Sequence, residues 1–244
     1  MSDSEDHYDP NRPPRREGPN RPVAAGEYFQ SSVAQLWRHF DDPVYQEKMR
    51  SAESERVGRE NEILRRQRLP KLMRRGVPKV VAEVICDGLV RDEPCVRILR
   101  STMASALVLS GGTGIGKTLA ASLWVDEGGD TSRLVSALQL ALLTKARVDR
   151  EMFETLCTCS VLAVDDLGIE VDDDRGAFRS RLDGLLSRRI GNRLRTVVTT
   201  NLTGKLFESP VTGYGGRVWS RLVQHGHFEE VKAPDLRLRA ACHS

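Results

Sequence analysis

Gly111-Gly112-Thr113-Gly114-Ile115-Gly116-Lys117-Thr118 lies between an apolar run, Ala106-Leu107-Val108-Leu109, and a helix-like stretch, Leu119-Ala120-Ala121-Ser122-Leu123-Trp124. Strand, glycine-rich turn and helix are the context that a phosphate-binding P-loop requires. The glycines let successive backbone N–H groups converge on phosphate oxygens, and the positive end of the helix dipole points the same way. Lys117 is placed to reach the β and γ phosphates, and the Thr118 hydroxyl to ligate Mg²⁺. The expected ligand of Gly111 to Thr118 is a nucleoside triphosphate with its metal.

Downstream, short apolar segments alternate with helical patterns. Leu134-Val135, Val161 to Val164, Thr196 to Thr200 and Phe228 to Val231 read as strands. Leu138 to Leu143 reads as a helix, as does the stripe Phe178, Leu182, Leu185, Leu186 and Ile190. This alternation predicts an α/β fold in which a parallel five-stranded sheet is covered by helices on both faces.

A P-loop needs an acidic site that holds Mg²⁺ and orients a water for attack. The strand Val161-Leu162-Ala163-Val164 runs into Asp165-Asp166, which supplies it. Asp165 is assigned to the Mg²⁺ shell and Asp166 to polarising the water. Glu170 and the run Asp172-Asp173-Asp174 read as an exposed acidic loop. Thr199-Thr200-Asn201 ends another strand, and Asn201 there is a candidate to hydrogen-bond the γ phosphate or its water; its other reading is a turn residue before Leu202-Thr203-Gly204.

Composition limits the alternatives. Lys and Arg number 37 against 34 Asp and Glu, a net charge of +3, so overall charge says little about nucleic acid. Its distribution says more: Arg65, Arg66, Arg68, Lys71, Arg74, Arg75 and Lys79 fall in one stretch without an acid. Such a stripe either follows a phosphate backbone or forms a solvated basic face. The five cysteines, Cys86, Cys95, Cys157, Cys159 and Cys242, form no zinc-type spacing, and His225 and His227 lack nearby partners. No metal is expected beyond nucleotide-bound Mg²⁺. No apolar run approaches the ~20 residues of a membrane span, and the acidic start Met1 to Asp6 is not a targeting peptide. The expected location is the cytoplasm, with no membrane contact.

Ahead of the P-loop, residues 1–26 are rich in Pro, Arg, Asp and Asn and are expected to be disordered. Residues 27–75 are expected to form a helical, partner-binding extension, the other reading of its apolar stripe being a face packed on its own domain. Phe29, Val33, Leu36, Trp37 and Phe40 recur at helical spacing there, and Glu55/Arg59 and Glu62/Arg66 stand four apart in the stabilising order. A shorter helix marked by Val80, Val81, Val84, Ile85 and Leu89 leads into an ATPase domain spanning 76–244.

From about Gly76 to Arg239 the chain resembles the AAA+ ATPases, within them the DnaC/IstB-like group of replicative helicase loaders and transposition helpers. The resemblance rests on Gly111 to Thr118, on Val164-Asp165-Asp166-Leu167-Gly168 with Glu170, on Thr199-Thr200-Asn201, and on Gly216-Arg217-Val218-Trp219-Ser220-Arg221-Leu222. It implies an AAA+ core that binds and hydrolyses ATP. Asp166 stands where most AAA+ proteins have Glu, although Asp is usual in this group. Arg221 matches the position of an arginine finger presented across a subunit interface, with Arg217 one turn earlier as the reserve. Arg237 is the nearest match to a nucleotide-contacting arginine after the final strand. A finger acting in trans implies a homo-oligomer, a ring or spiral formed on ATP binding. Twelve residues follow Lys232, so a C-terminal helical lid is not expected. The resemblance places Lys145, Arg147 and Arg150, within Leu138 to Leu156, as candidates to contact single-stranded DNA; a solvated helix edge is the other reading.

Three functions follow. The first is a DnaC-like loader that binds a replicative helicase and single-stranded DNA. The second is an IstB-like helper that assembles on duplex DNA and recruits a transposase. The third is a nucleotide-switched interaction protein that does not hydrolyse. No NKxD or LSGGQ segment points to a GTPase or a transporter ATPase.

Overall fold

A computed structural model describes residues 42–145, 150–168, 175–209 and 214–236. The chain divides into two units, Met1–Glu60 and Asn61–Ser244. In the first, the described residues are the opening turns of α1 (Pro43–Arg74), exposed except for half-buried Tyr45. An Arg56–Glu53 pair at 2.6 Å joins neighbouring turns there. The amphipathic stripe Phe29 to Phe40 lies outside the described residues.

The second unit is built on five strands: β1 (Ala106–Gly111), β2 (Arg133–Ser136), β3 (Val161–Leu167), β4 (Arg195–Thr200) and β5 (Gly226–Val231). They lie in the order β2-β3-β4-β1-β5, and every pairing is parallel. Both faces of such a sheet are covered, which is why the strands are apolar runs rather than alternating ones. Period-2 alternation then sends neighbours to opposite layers. Val108, Leu162, Val164 and Val198 join one core cluster, whereas Leu107, Leu109, Ala163 and Val197 join the other.

The second layer is made by the end of α1, where Leu72 is buried, with α2 (Lys79–Cys86), α3 (Pro94–Ser101) and α4 (Lys117–Glu127). The first holds α5 (Ala137–Lys145), α6 (Arg150–Thr158), α7 (Arg175–Gly191), α8 (Gly204–Glu208) and α9 (Gly215–His225). Helix α3 went unpredicted; proline at its first turn and the buried face Cys95, Val96 and Leu99 account for it. β5 begins at Gly226, two residues earlier than expected. Any Cβ there would stand 2.5 Å from the carbonyl oxygens of Ala106 and Leu222, so only glycine fits where α9 turns onto β1.

Two interactions fix the first layer against the sheet. Arg189 of α7 is fully buried, and among the described residues no carboxylate pairs with it; it donates to the carbonyls of Leu156, Cys159 and Arg195 at 2.7, 2.9 and 2.7 Å, and to Thr196 Oγ1 at 3.0 Å. Trp219 of α9 packs edge-on against Phe228 of β5, with ring centroids 4.9 Å apart, which fixes α9 against the sheet.

Candidate nucleotide site

In a parallel sheet, ligands bind at the carboxyl ends of the strands. There β1 passes into the glycine-rich turn, β3 ends on the acidic pair, and β4 leads to Asn201. Gly116 enters α4 with φ of 91°, so the backbone turns directly from the loop into the helix.

Lys117 is 6 % exposed, and its ammonium donates to the carbonyls of Gly111 and Gly112 at 2.9 and 2.7 Å and to Asn201 Oδ1 at 2.9 Å. Burial pulls its pKa below the usual lysine value, and the charges of Asp166 and Asp165 oppose that pull. Thr118 Oγ1 lies 3.1 and 3.0 Å from the two carboxylate oxygens of Asp165. Thr199 Oγ1 donates to Asp165 Oδ1 at 2.6 Å and accepts the Asp166 N–H at 2.8 Å. Burial pushes the Asp165 pKa up, against the hydrogen bonds from Thr199 and Thr118.

Asp166 has φ of 57°, a left-handed conformation, and the β3–β4 register shifts between Val164 and Leu167. The bulge turns consecutive acids away from strict alternation, so that Asp165 meets Thr118 while Asp166 still acts electrostatically on Lys117. Asp165 is 7 % exposed, and its hydrogen-bond partners there are neutral hydroxyls. A buried carboxylate beside a threonine hydroxyl suits a hard cation with oxygen ligands, the chemistry of Mg²⁺. Among the described residues no group of three or more His, Cys, Asp or Glu forms a self-contained metal cage.

The segment after β5 returns to the loop. Leu236 N–H donates to Gly114 O at 2.9 Å, and the Asp235 carboxylate fills the space that a Cβ on Gly114 would need. Neither contact was foreseen, because nothing local in Lys232 to Leu236 marks it. Thr199 was also missed as a partner of Asp165; a threonine inside a buried central strand is the signal that could have found it. Cys95 lies beneath the loop, its thiol donating to Ile115 O at 3.4 Å, and burial pushes its pKa up to about 11.

The structure therefore brings together Lys117, Thr118, Asp165, Asp166 and Asn201. Arg217 and Arg221 lie elsewhere, on α9. Arg217 is exposed, whereas Arg221 Nε pairs with Asp183 Oδ1 at 2.6 Å near the strand amino ends. Arg237, Arg147, Glu170 and Asp172 to Asp174 fall outside the described residues, as does the side chain of Lys145; Arg150 is exposed. The basic stripe has acids of its own: Arg65, Arg66, Arg68, Arg75 and Lys79 pair with Asp87, Glu62, Asp126, Asp130 and Glu83. Lys71 and Arg74 stand outside those pairs.

The fold and the loop define the class: a parallel five-stranded α/β domain with a P-loop-type turn between β1 and α4, preceded by a helical segment. No protein-family model and no curated protein matches the sequence. Among solved structures, AMPPCP-bound DnaA from Aquifex aeolicus is similar in fold, with 14% identity, a TM-score of 0.50, and coverage of 63% of this chain and 51% of that chain. DnaI matches at 21% identity and a TM-score of 0.45, covering 57% of this chain and 81% of its own. The DnaC helicase loader matches at 21% and 0.43, covering 64% and 92%. No helix among the described residues is long and apolar enough to cross a membrane.

Proposed function

We propose that the chain is a DnaC-like ATPase that helps a replicative helicase onto single-stranded DNA. The observation that carries the reading is the separation of its charged groups. Lys117, Thr118, Asp165 and Asn201 meet at the strand carboxyl ends, whereas Arg221 lies by the amino ends, across six residues of β1. Six residues of strand span about 20 Å, so Arg221 serves a nucleotide held by another copy. ATP binding then assembles a homo-oligomer, and hydrolysis in one copy depends on its neighbour.

In the reaction, the oxygen of a water bonds to the γ phosphorus as the bond to the β–γ bridging oxygen breaks, and ADP keeps that electron pair. Asp166 orients the water and draws its proton. Lys117 neutralises the β and γ oxygens, Asn201 holds Lys117 and the γ oxygen in register, and Arg221 of the neighbouring copy stabilises the developing charge. Mg²⁺, held by Thr118 and Asp165, supplies further charge neutralisation when bound. Arg237 completes the nucleotide contacts after β5. The helicase docks on the helical extension of residues 27–75, and Lys71, Arg74 and Arg150 offer cations to single-stranded DNA.

The test is ATP turnover with single-stranded DNA present, together with co-elution with the replicative helicase in ATP. Turnover lost in Lys117→Ala, and co-elution lost in a chain beginning at Ile63, support the loader. No turnover under any condition replaces the ATPase with a nucleotide-switched interaction protein. Turnover stimulated by duplex DNA, with no co-elution, moves the reading to an IstB-like helper that recruits a transposase.

A further inference from the structure

At the end of the sheet opposite the P-loop, a cavity of about 590 Å³ is lined by Met103, Ser105, Ser187, Arg193, Arg221 and His225. Ser105, Arg193 and His225 stand just ahead of β1, β4 and β5, so the cavity opens at the amino ends of those strands. Two arginines and a histidine face it. Arg221 is held by Asp183 at 2.6 Å. Met103 at its wall is 99% exposed, an apolar side chain left entirely to solvent.

Arg193 is unusual in its backbone. It has φ of 54°, and among the described residues the other non-glycine with positive φ is Asp166, at the nucleotide site. Arg193 ends α7 with its N–H on Ile190 O at 3.0 Å, and Leu194 N–H follows on Arg189 O at 2.9 Å. A left-handed residue closing a helix in this way is ordinarily glycine, because a Cβ is strained there. A long cationic side chain in that conformation, lining a cavity with a second arginine, points to a role for the side chain itself.

We propose that Arg193 is a second cation acting in trans, contacting beside Arg221 the terminal phosphates of a nucleotide bound by a neighbouring copy. The inference rests on the ATPase reading above and adds a residue to its shared site. Two guanidiniums, one released from Asp183 as the phosphate arrives, match the spread of charge over the γ phosphate better than one. Asp183 thereby keeps Arg221 ordered in the unassembled chain.

The test compares full-length wild type, Arg193→Gly, Arg221→Ala and Lys117→Ala, alone and mixed, in ATP turnover with single-stranded DNA. Glycine suits the left-handed position, so Arg193→Gly should melt no lower than wild type and bind nucleotide as tightly. Its turnover should nevertheless fall by about tenfold or more. Mixing it with Lys117→Ala should restore turnover, because each Lys117→Ala copy still offers an intact Arg193 to a neighbour's intact P-loop. Turnover of Arg193→Gly within about twofold of wild type overturns the proposal. So does a deficit that Lys117→Ala cannot restore while it does restore Arg221→Ala, since Arg193 would then act within its own copy. Absence of turnover in wild type, or failure of the Arg221→Ala mixture, defeats the underlying ATPase or trans-finger reading instead, and the proposal falls with it.

Discussion

The ammonium of Lys117 and the amide oxygen of Asn201 stand 2.9 Å apart, joining the P-loop on β1 to the tip of β4 across 84 residues of sequence. The hydrogen bond holds the lysine toward the loop carbonyls and keeps a polar side chain beside the place where a γ phosphate would lie. Asn201→Ala removes that hold while leaving the glycine-rich turn intact. Turnover should drop about 100-fold, the cost of losing one preorganised polar group, with little change in nucleotide affinity. Steady-state kinetics beside a nucleotide titration measures both; an equal loss in each would make Asn201 a binding residue alone.

Asp165 carries a destabilising charge. Burial raises its folded pKa above the unfolded value, so the folded state holds its proton more tightly. Between those two values the folded chain binds more protons, and this group's contribution to stability falls as pH rises through that window. Asp165→Asn keeps the shape without the charge. It should melt higher than wild type at neutral pH, show a flatter stability profile just above the ordinary aspartate range, and lose the stabilisation that Mg²⁺ with ATP gives wild type. Thermal melts at several pH values decide it.

Arg221 pairs with Asp183 where both side chains are partly exposed to solvent, at 41% and 22%. A pair of that kind contributes at most about 1 kcal/mol. Arg221→Ala should therefore stay folded and bind nucleotide normally, yet lose about 1,000-fold in turnover if its guanidinium reaches a neighbour's nucleotide. A melting shift of more than a few degrees would instead assign Arg221 to holding α9 in place.

Asp235 sets a carboxylate against Gly114 in the phosphate loop. A like charge beside arriving phosphates opposes binding, so Asp235→Asn should tighten nucleotide binding by up to about tenfold, less in high salt. Titration with a fluorescent nucleotide at two salt concentrations reads this directly. An unchanged affinity would mean that the segment swings clear of the loop before nucleotide binds.

Arg189→Leu leaves the carbonyls of Leu156, Cys159 and Arg195 without their shared donor. Unsatisfied buried acceptors cost about 1 kcal/mol or more each, so a loss of about 3 kcal/mol is expected in denaturant unfolding. The candidate nucleotide site lies at the other end of the strands, and nucleotide binding measured below the melting transition should be unaltered.

The glycine-rich turn, the acidic pair and the order of the strands along the chain were legible in the sequence because each is local. Glycine spacing sets the backbone of the turn, and runs such as Val161 to Val164 mark strands buried on both faces. The order β2-β3-β4-β1-β5 leaves no trace in such patterns, because parallel strands meet through crossovers whose path depends on packing. That order alone brought Asn201 to Lys117 and Thr199 to Asp165, returned Asp235 to the loop, and put Arg193 in one cavity with Arg221. It also decided how to read the basic stripe. Apart from Arg66, four residues after Glu62, its arginines look unopposed along the chain, yet Asp87, Asp126 and Asp130 meet Arg65, Arg68 and Arg75 in the folded chain. Local backbone chemistry determined the phosphate loop; long-range packing decided which charges stand beside it and which stand at the far end of the sheet.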